Sequence, residues 1–140
     1  MLNIMKKLGK KDDIRKAILE AEDIETREVE VPEWGMTVIV KGMTGAQRDR
    51  FESSIVEQRG KNVKVKLEDA RARLVAMTVI DEDGRQVFGM RDVEALSQKS
   101  ARALNRIYDV AKELSGIGEE EIEELAKNFE NGQPEDSLSG

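Results

Sequence analysis

From Ser97 or Ser100 onward, Ala101, Leu104, Ile107, Tyr108, Ala111 and Leu114 recur every three or four residues, with mostly polar or charged residues between them. That spacing is one face of an α-helix, and Gly116 just beyond it is a usual helix stop. A helix with such a stripe must bury it, so the rest of the chain has to supply the cover. The chain has 140 residues. At that length folding buries roughly two-thirds of the surface the unfolded chain exposes, which suffices for one modest core.

Upstream the hydrophobic period shortens from helical to alternating. Val29 and Val31 alternate with Glu28 and Glu30, and Val38 and Val40 with Ile39 and Lys41, on either side of Pro32-Glu33-Trp34-Gly35. This predicts a β-hairpin near residues 28–41 with Trp34 at its tip. Thr44-Gly45-Ala46-Gln47 has the form of a capping box, in which the Thr hydroxyl accepts from the third amide and Gln reaches back. A helix carrying Phe51 and Ile55 should follow and be broken by Arg59-Gly60-Lys61-Asn62. Before the hairpin, Asp12 or Asp13 can cap a helix over about 13–22, with Ile14, Ala17, Ile18 and Ala21 on one face.

Further on, Leu67, Ala70, Leu74, Val75 and Thr78 predict a helix over 66–79, while residues 63–67 alternate like a strand and leave strand or loop open just before it. Asp83-Gly84 is a tight-turn signal joining Val79-Ile80 to Gln86-Val87-Phe88. Val93 and Leu96 mark a short helix. A last helix over Glu119–Phe129 carries Ile122, Leu125, Ala126 and Phe129 on one face, and its Glu-rich first turn suits the positive end of the helix dipole. The expected fold is α+β and predominantly α-helical, an N-terminal β-hairpin followed by a small helical domain with disordered termini. The expected organisation is a basic flexible arm over 1–11, one helix-rich domain over 12–129, and a disordered acidic tail over 130–140.

Composition narrows the chemistry. There is no Cys and no His, which removes disulfides, thiol and imidazole catalysis and the usual zinc ligands. Asp81-Glu82-Asp83-Gly84 has spaced carboxylates, but an EF-hand loop needs Gly at its sixth position and Glu at its twelfth, where this chain has Gln86 and Asp92. The net charge is −6, unfavourable for generic nucleic-acid binding, although Lys6, Lys7, Lys10 and Lys11 make the start basic. No apolar run approaches the roughly twenty residues that span a bilayer, and no secretory leader pattern opens the chain. An enzyme is therefore not expected, no cofactor or metal is implied, and neither nucleic acid nor membrane is an expected partner.

The run Val29-Glu30-Val31-Pro32-Glu33-Trp34-Gly35, followed by Met43-Thr44-Gly45-Ala46-Gln47-Arg48-Asp49-Arg50-Phe51-Glu52, resembles the opening of tail assembly chaperones of long-tailed, siphovirus-type bacteriophages. Ala72-Arg73-Leu74-Val75-Ala76, the Asp81–Gly84 turn leading to Phe88, Asp92-Val93-Glu94-Ala95-Leu96, Ser100 through Leu114 and Glu121 through Asn128 are similar to the same family in the same order. The resemblance covers about residues 28–129. It implies a non-enzymatic binding protein that coats the aggregation-prone tape measure protein, keeps it soluble and brings tail tube protein subunits to it. It further implies action in the host cell cytoplasm, absence from the mature virion, and a short form of a product that family members often also make in a frameshifted, longer form.

Contact candidates, chosen for apolarity and position, are Trp34, Phe51, Tyr108, Ile122, Leu125 and Phe129. Self-association is a further expectation, since coating a long client takes many copies. The competing readings are a minor structural tail or neck component of the virion and, through the Lys-rich arm, a DNA-binding regulator.

Overall fold

The alternating valines form an antiparallel pair, β1 (Thr26–Val31) and β2 (Met36–Lys41), in the computed structural model, which describes residues 7–59, 62–65, 69–118, 120, 124 and 127. Val29 stands opposite Val38 and Val31 opposite Met36. Residues directly opposite share a face of the sheet, so the valines of both strands point to one side, where Val31 and Val40 are fully enclosed. The connection is a short 3₁₀ turn, Pro32–Trp34. Pro32 pre-sets its first φ, and Gly35 closes it at φ +64, a left-handed conformation that glycine adopts without a Cβ penalty. A third strand, β5 (Val79–Ile80), adds to the far side of β2, giving the order β1-β2-β5.

The capping box forms as the sequence predicts. Thr44 Oγ1 accepts from the Gln47 amide at 3.1 Å, and the Gln47 side chain accepts from the Thr44 amide at 2.9 Å. Such a cap contributes about 1 kcal/mol. The helix it starts, α2 (Gly45–Ser54), ends earlier than Arg59-Gly60-Lys61-Asn62 would have it. Ser54 Oγ donates back to the Phe51 carbonyl at 2.7 Å and Ile55 leaves helical geometry. The break instead separates two strands, β3 (Val56–Arg59) and β4 (Asn62–Val65), which pair antiparallel as a second sheet. Local β-branched residues outweighed helix continuation there.

The helix expected over 66–79 is α3 (Ala70–Thr78); residues 66–68 lie outside the described residues, and Val79-Ile80 pairs with β2 instead of extending the helix. Asp81–Gly84 turns the chain as expected, and Ile80 bridges Gln86. Then come a 3₁₀ turn (Met90–Asp92), the short helix α4 (Val93–Ser97) and α5 (Ala101–Leu114). Ser100 caps α5 by accepting from the Ala103 amide, and Gly116 ends it at φ +72.

α5 lies against α3, β1 and β2, and α4 packs on α3. Leu104, Ile107, Tyr108 and Ala111 enter the same core as Phe51, Ile55, Leu74 and Val75. Fully burying one such large apolar side chain stabilises the fold by about 1.5–3 kcal/mol. Thr78, also buried, satisfies its hydroxyl by donating to the Leu74 carbonyl at 2.7 Å. At the end of α5, a Cβ on Gly42 would stand 2.6 Å from the Leu114 carbonyl oxygen, so only glycine permits this approach of helix and strand. The Met43 amide donates to Ser115 Oγ at 3.0 Å beside it.

The first helix, α1, runs over Lys11–Glu20 rather than 13–22, and no side chain caps it. Asp12 and Asp13 sit inside its first turn, where their charge suits the dipole, instead of preceding it. Every residue of α1 is exposed, and Lys7–Lys10 before it are too. The helix expected over Glu119–Phe129 and the tail over 130–140 lie outside the described residues, apart from Glu120, Glu124 and Lys127, which are exposed.

Candidate protein-docking surface

At the hairpin tip, Glu33 receives two hydrogen bonds from the Arg106 guanidinium, at 2.9 and 3.0 Å. This fork ties the Pro32–Trp34 turn to α5. The hydrogen bond from Arg106 holds the Glu33 carboxyl below the usual glutamate range, and the adjoining positive charges of Arg106 and Arg102 act in the same direction. With the turn pinned, the Trp34 ring is held half-buried against the edge of the core.

Trp34 and Phe88 line two open cavities. One, of about 470 Å³, is completed by Asp92, Ala95, Leu96 and Lys99. The other, of about 550 Å³, lies between β2 and the Asp81–Phe88 loop, with Met36, Thr37, Ile80 and Val87 among its walls. Met36 and Val87 are 55% and 51% exposed, large apolar side chains at the surface beside two aromatic rings. Aromatic anchors flanked by apolar hollows and a polar rim are the usual make-up of a protein-binding hot spot.

The loop behind this surface is internally tied. Asp81 accepts from the Asp83 and Arg85 amides, both at 2.9 Å, and Gln86 Nε2 donates to the carbonyls of Ala76 and Phe88. The carboxylate that would open a calcium loop is thus occupied by backbone amides, and no cluster of three acidic side chains suited to a cation forms among the described residues. A second apolar surface is α1, where Ile18 and Leu19 are each 66% exposed.

Of the six contact candidates, Trp34 is half-buried at this surface. Phe51 is fully enclosed. Tyr108 is buried between the Arg71 guanidinium, 5.6 Å from its ring centre, and the Lys112 ammonium, at 4.6 Å. Both side chains serve the core, because the stripes that made them conspicuous are the faces that α2 and α5 bury. Ile122, Leu125 and Phe129 lie outside the described residues. Sequence reasoning passed over Met36, Val87 and Phe88 as contacts. Met36 was within reach, since it extends the Val38-Val40 alternation backwards to Gly35. Val87 and Phe88 follow a turn whose side-chain directions depend on how Val79-Ile80 pairs.

The phage tail assembly chaperone family model matches residues 13–128, from α1 to beyond the end of α5. None of the curated proteins matches the chain. Among solved structures, that of the bacteriophage HK97 tail assembly chaperone is similar, with a TM-score of 0.55 and 20% identity over 78% of this chain and 100% of that one. At that identity the likeness is one of fold. The span of the family match is decisive, and the chain belongs to the phage tail assembly chaperone family.

Proposed function

We propose that this protein binds the tape measure protein of a long-tailed phage, holds it soluble before assembly and brings tail tube subunits to it. The observation that carries this reading is the family match over residues 13–128. The exposed side chains of Met36 and Val87 beside the half-buried rings of Trp34 and Phe88, and the exposed Ile18 and Leu19 of α1, supply the physical means. Apolar stripes on an unassembled client need cover, and a partner that binds only the unassembled client draws it away from aggregation by mass action. The chain's net charge of −6 keeps the covered complex dispersed. Such a holdase has no need of a catalytic centre, acts in the host cell and leaves before the virion is complete.

Co-expression with the tape measure protein tests this directly: the client should move from pellet to supernatant and co-purify. Charged substitutions at Trp34, or at Ile122, Leu125 and Phe129, then apportion the contact between the hairpin tip and the last segment. A client that stays insoluble, or a stoichiometric copy of this chain in purified virions, would turn the assignment towards a structural tail component.

A further inference from the structure

The two sides of β2 are unequally used. The Gly42 amide donates to the Glu25 carbonyl at 2.9 Å, in step with the register that sets Thr26 opposite Lys41. Antiparallel ladders alternate, so Met36, Val38 and Val40 turn their backbone groups towards β1, while Thr37, Ile39 and Lys41 turn theirs the other way. On that other side Ile39 meets Ile80. The line of β5 then leaves the sheet at Asp81, whose amide donates to the Arg85 carbonyl and whose carbonyl accepts from Gly84. The N–H and C=O of Thr37 therefore face an open edge and have no hydrogen-bond partner among the described residues.

The open edge spans Met36–Val38, about 10 Å of strand. It forms one wall of the 550 Å³ cavity, whose other walls are Trp34, Val87 and Phe88, and whose end at the turn bears Asp81, Glu82 and Asp83. Unpaired strand backbone, apolar hollows on one side and carboxylates at one end together specify an occupant.

We propose that this edge of β2 takes an extended segment of a protein partner, added as a strand beside Thr37, whose residues alternate between apolar and basic. Its apolar side chains fill the hollow beside Trp34 and Phe88, and its Lys or Arg residues meet Glu82 and Asp83. Main-chain bonds supply affinity in such strand addition and the side-chain pockets supply selectivity. The inference rests on the proposed client-binding role only in making the ligand a protein, and it assigns a site and a conformation that the role does not.

Thr37→Pro is the deciding variant. Proline is tolerated on an edge strand when its missing N–H faced solvent, so the fold should survive while the incoming strand loses its donor. The probe is a fluorescent synthetic peptide of alternating Val and Lys, with a Val and Glu peptide as control. Wild-type protein should bind the basic peptide in preference, and Thr37→Pro should weaken that binding about tenfold, as loss of one well-formed hydrogen bond does. Glu82→Lys with Asp83→Lys should weaken it too. Should the proline variant misfold, amide exchange in wild-type protein decides: the Thr37 amide must slow when the basic peptide is added, while Ile39, already paired, stays constant.

Unchanged binding in Thr37→Pro, equal binding of the acidic peptide, or an unaltered Thr37 exchange rate would overturn the proposal. So would a concentration-dependent self-association that Thr37→Pro abolishes without any peptide binding, which would give the edge to a second copy. Client solubilisation that persists in Thr37→Pro while peptide binding is lost keeps the holdase role and moves its contact elsewhere. Peptide binding without client solubilisation does the reverse.

Discussion

α5 and α1 carry the same kind of stripe and meet opposite fates. In α5, Leu104, Ile107, Tyr108 and Ala111 are buried under α3, β1 and β2. In α1, Ile14, Ile18 and Leu19 recur at similar intervals, yet each is a third to two-thirds exposed and nothing on the helix is buried. The difference teaches that periodicity says which face a helix would bury and is silent on whether a cover exists. α5 has its cover because the hairpin and α3 present valines and alanines to it. The face of α1 is left for something outside the described fold, consistent with the binding role proposed above.

The comparison is most easily broken by paired truncations. Ile107→Ala should cost about 2–5 kcal/mol of unfolding free energy, the range for a fully buried large-to-small change, whereas Ile18→Ala should stay within about 0.5 kcal/mol. Urea titrations of the two variants check this, and a comparable loss for Ile18→Ala would mean that α1 is covered in solution. A smaller effect sharpens the α5 side. Gly42→Ala places a methyl group against the Leu114 carbonyl, so the strand or helix end must shift, at about 1–3 kcal/mol as overpacking typically costs. Its thermal midpoint should fall, and amide exchange should quicken at Met43 and Ser115 if the clamp there opens.

The smallest expected effect is the pH dependence of the hairpin pin. Glu33 has its carboxyl pKa lowered in the folded protein by the Arg106 hydrogen bond. A group with a depressed folded pKa contributes stability that is fully present above its unfolded pKa and is lost as pH falls through the folded value. Wild type should therefore exceed Glu33→Gln in stability at neutral pH, and the gap should close as pH drops below the ordinary glutamate range. A gap that persists in acid would show that the fork contributes nothing through its charge. Exposure of the pair keeps the effect small.

The same contrast shows which parts of this protein were legible before its structure. The Thr44 capping box, the stripe from Ala101 to Leu114 and the Asp83-Gly84 turn were readable because each is decided by residues a few positions apart. The choice of Ser100 over Ser97 as the cap came from the structure. Helix ends were less so. α2 stops at Ser54, five residues ahead of the Arg59-Gly60 signal, because strand pairing between Val56–Arg59 and Asn62–Val65 competes with the helix. α3 stops at Thr78 because β2 offers Val79 and Ile80 a ladder. The candidate surface was half legible: Trp34 from its place at a Pro/Gly hairpin tip, but not its companions Met36, Val87 and Phe88. Among the aromatic contact candidates, Phe51 and Tyr108 proved to be core for the reason that made them stand out.

By itself the sequence determined the local geometry, the absence of thiol and imidazole chemistry, and the family through the order of its segments. These depend on residue type and short spacing, which a chain carries whether or not it is folded. Which apolar face is covered, where β5 departs from β2 and leaves Thr37 without a backbone partner among the described residues, and why Gly42 must lack a side chain were decided only by tertiary structure. Each depends on what a distant segment brings alongside, and no periodicity within one segment encodes its neighbour.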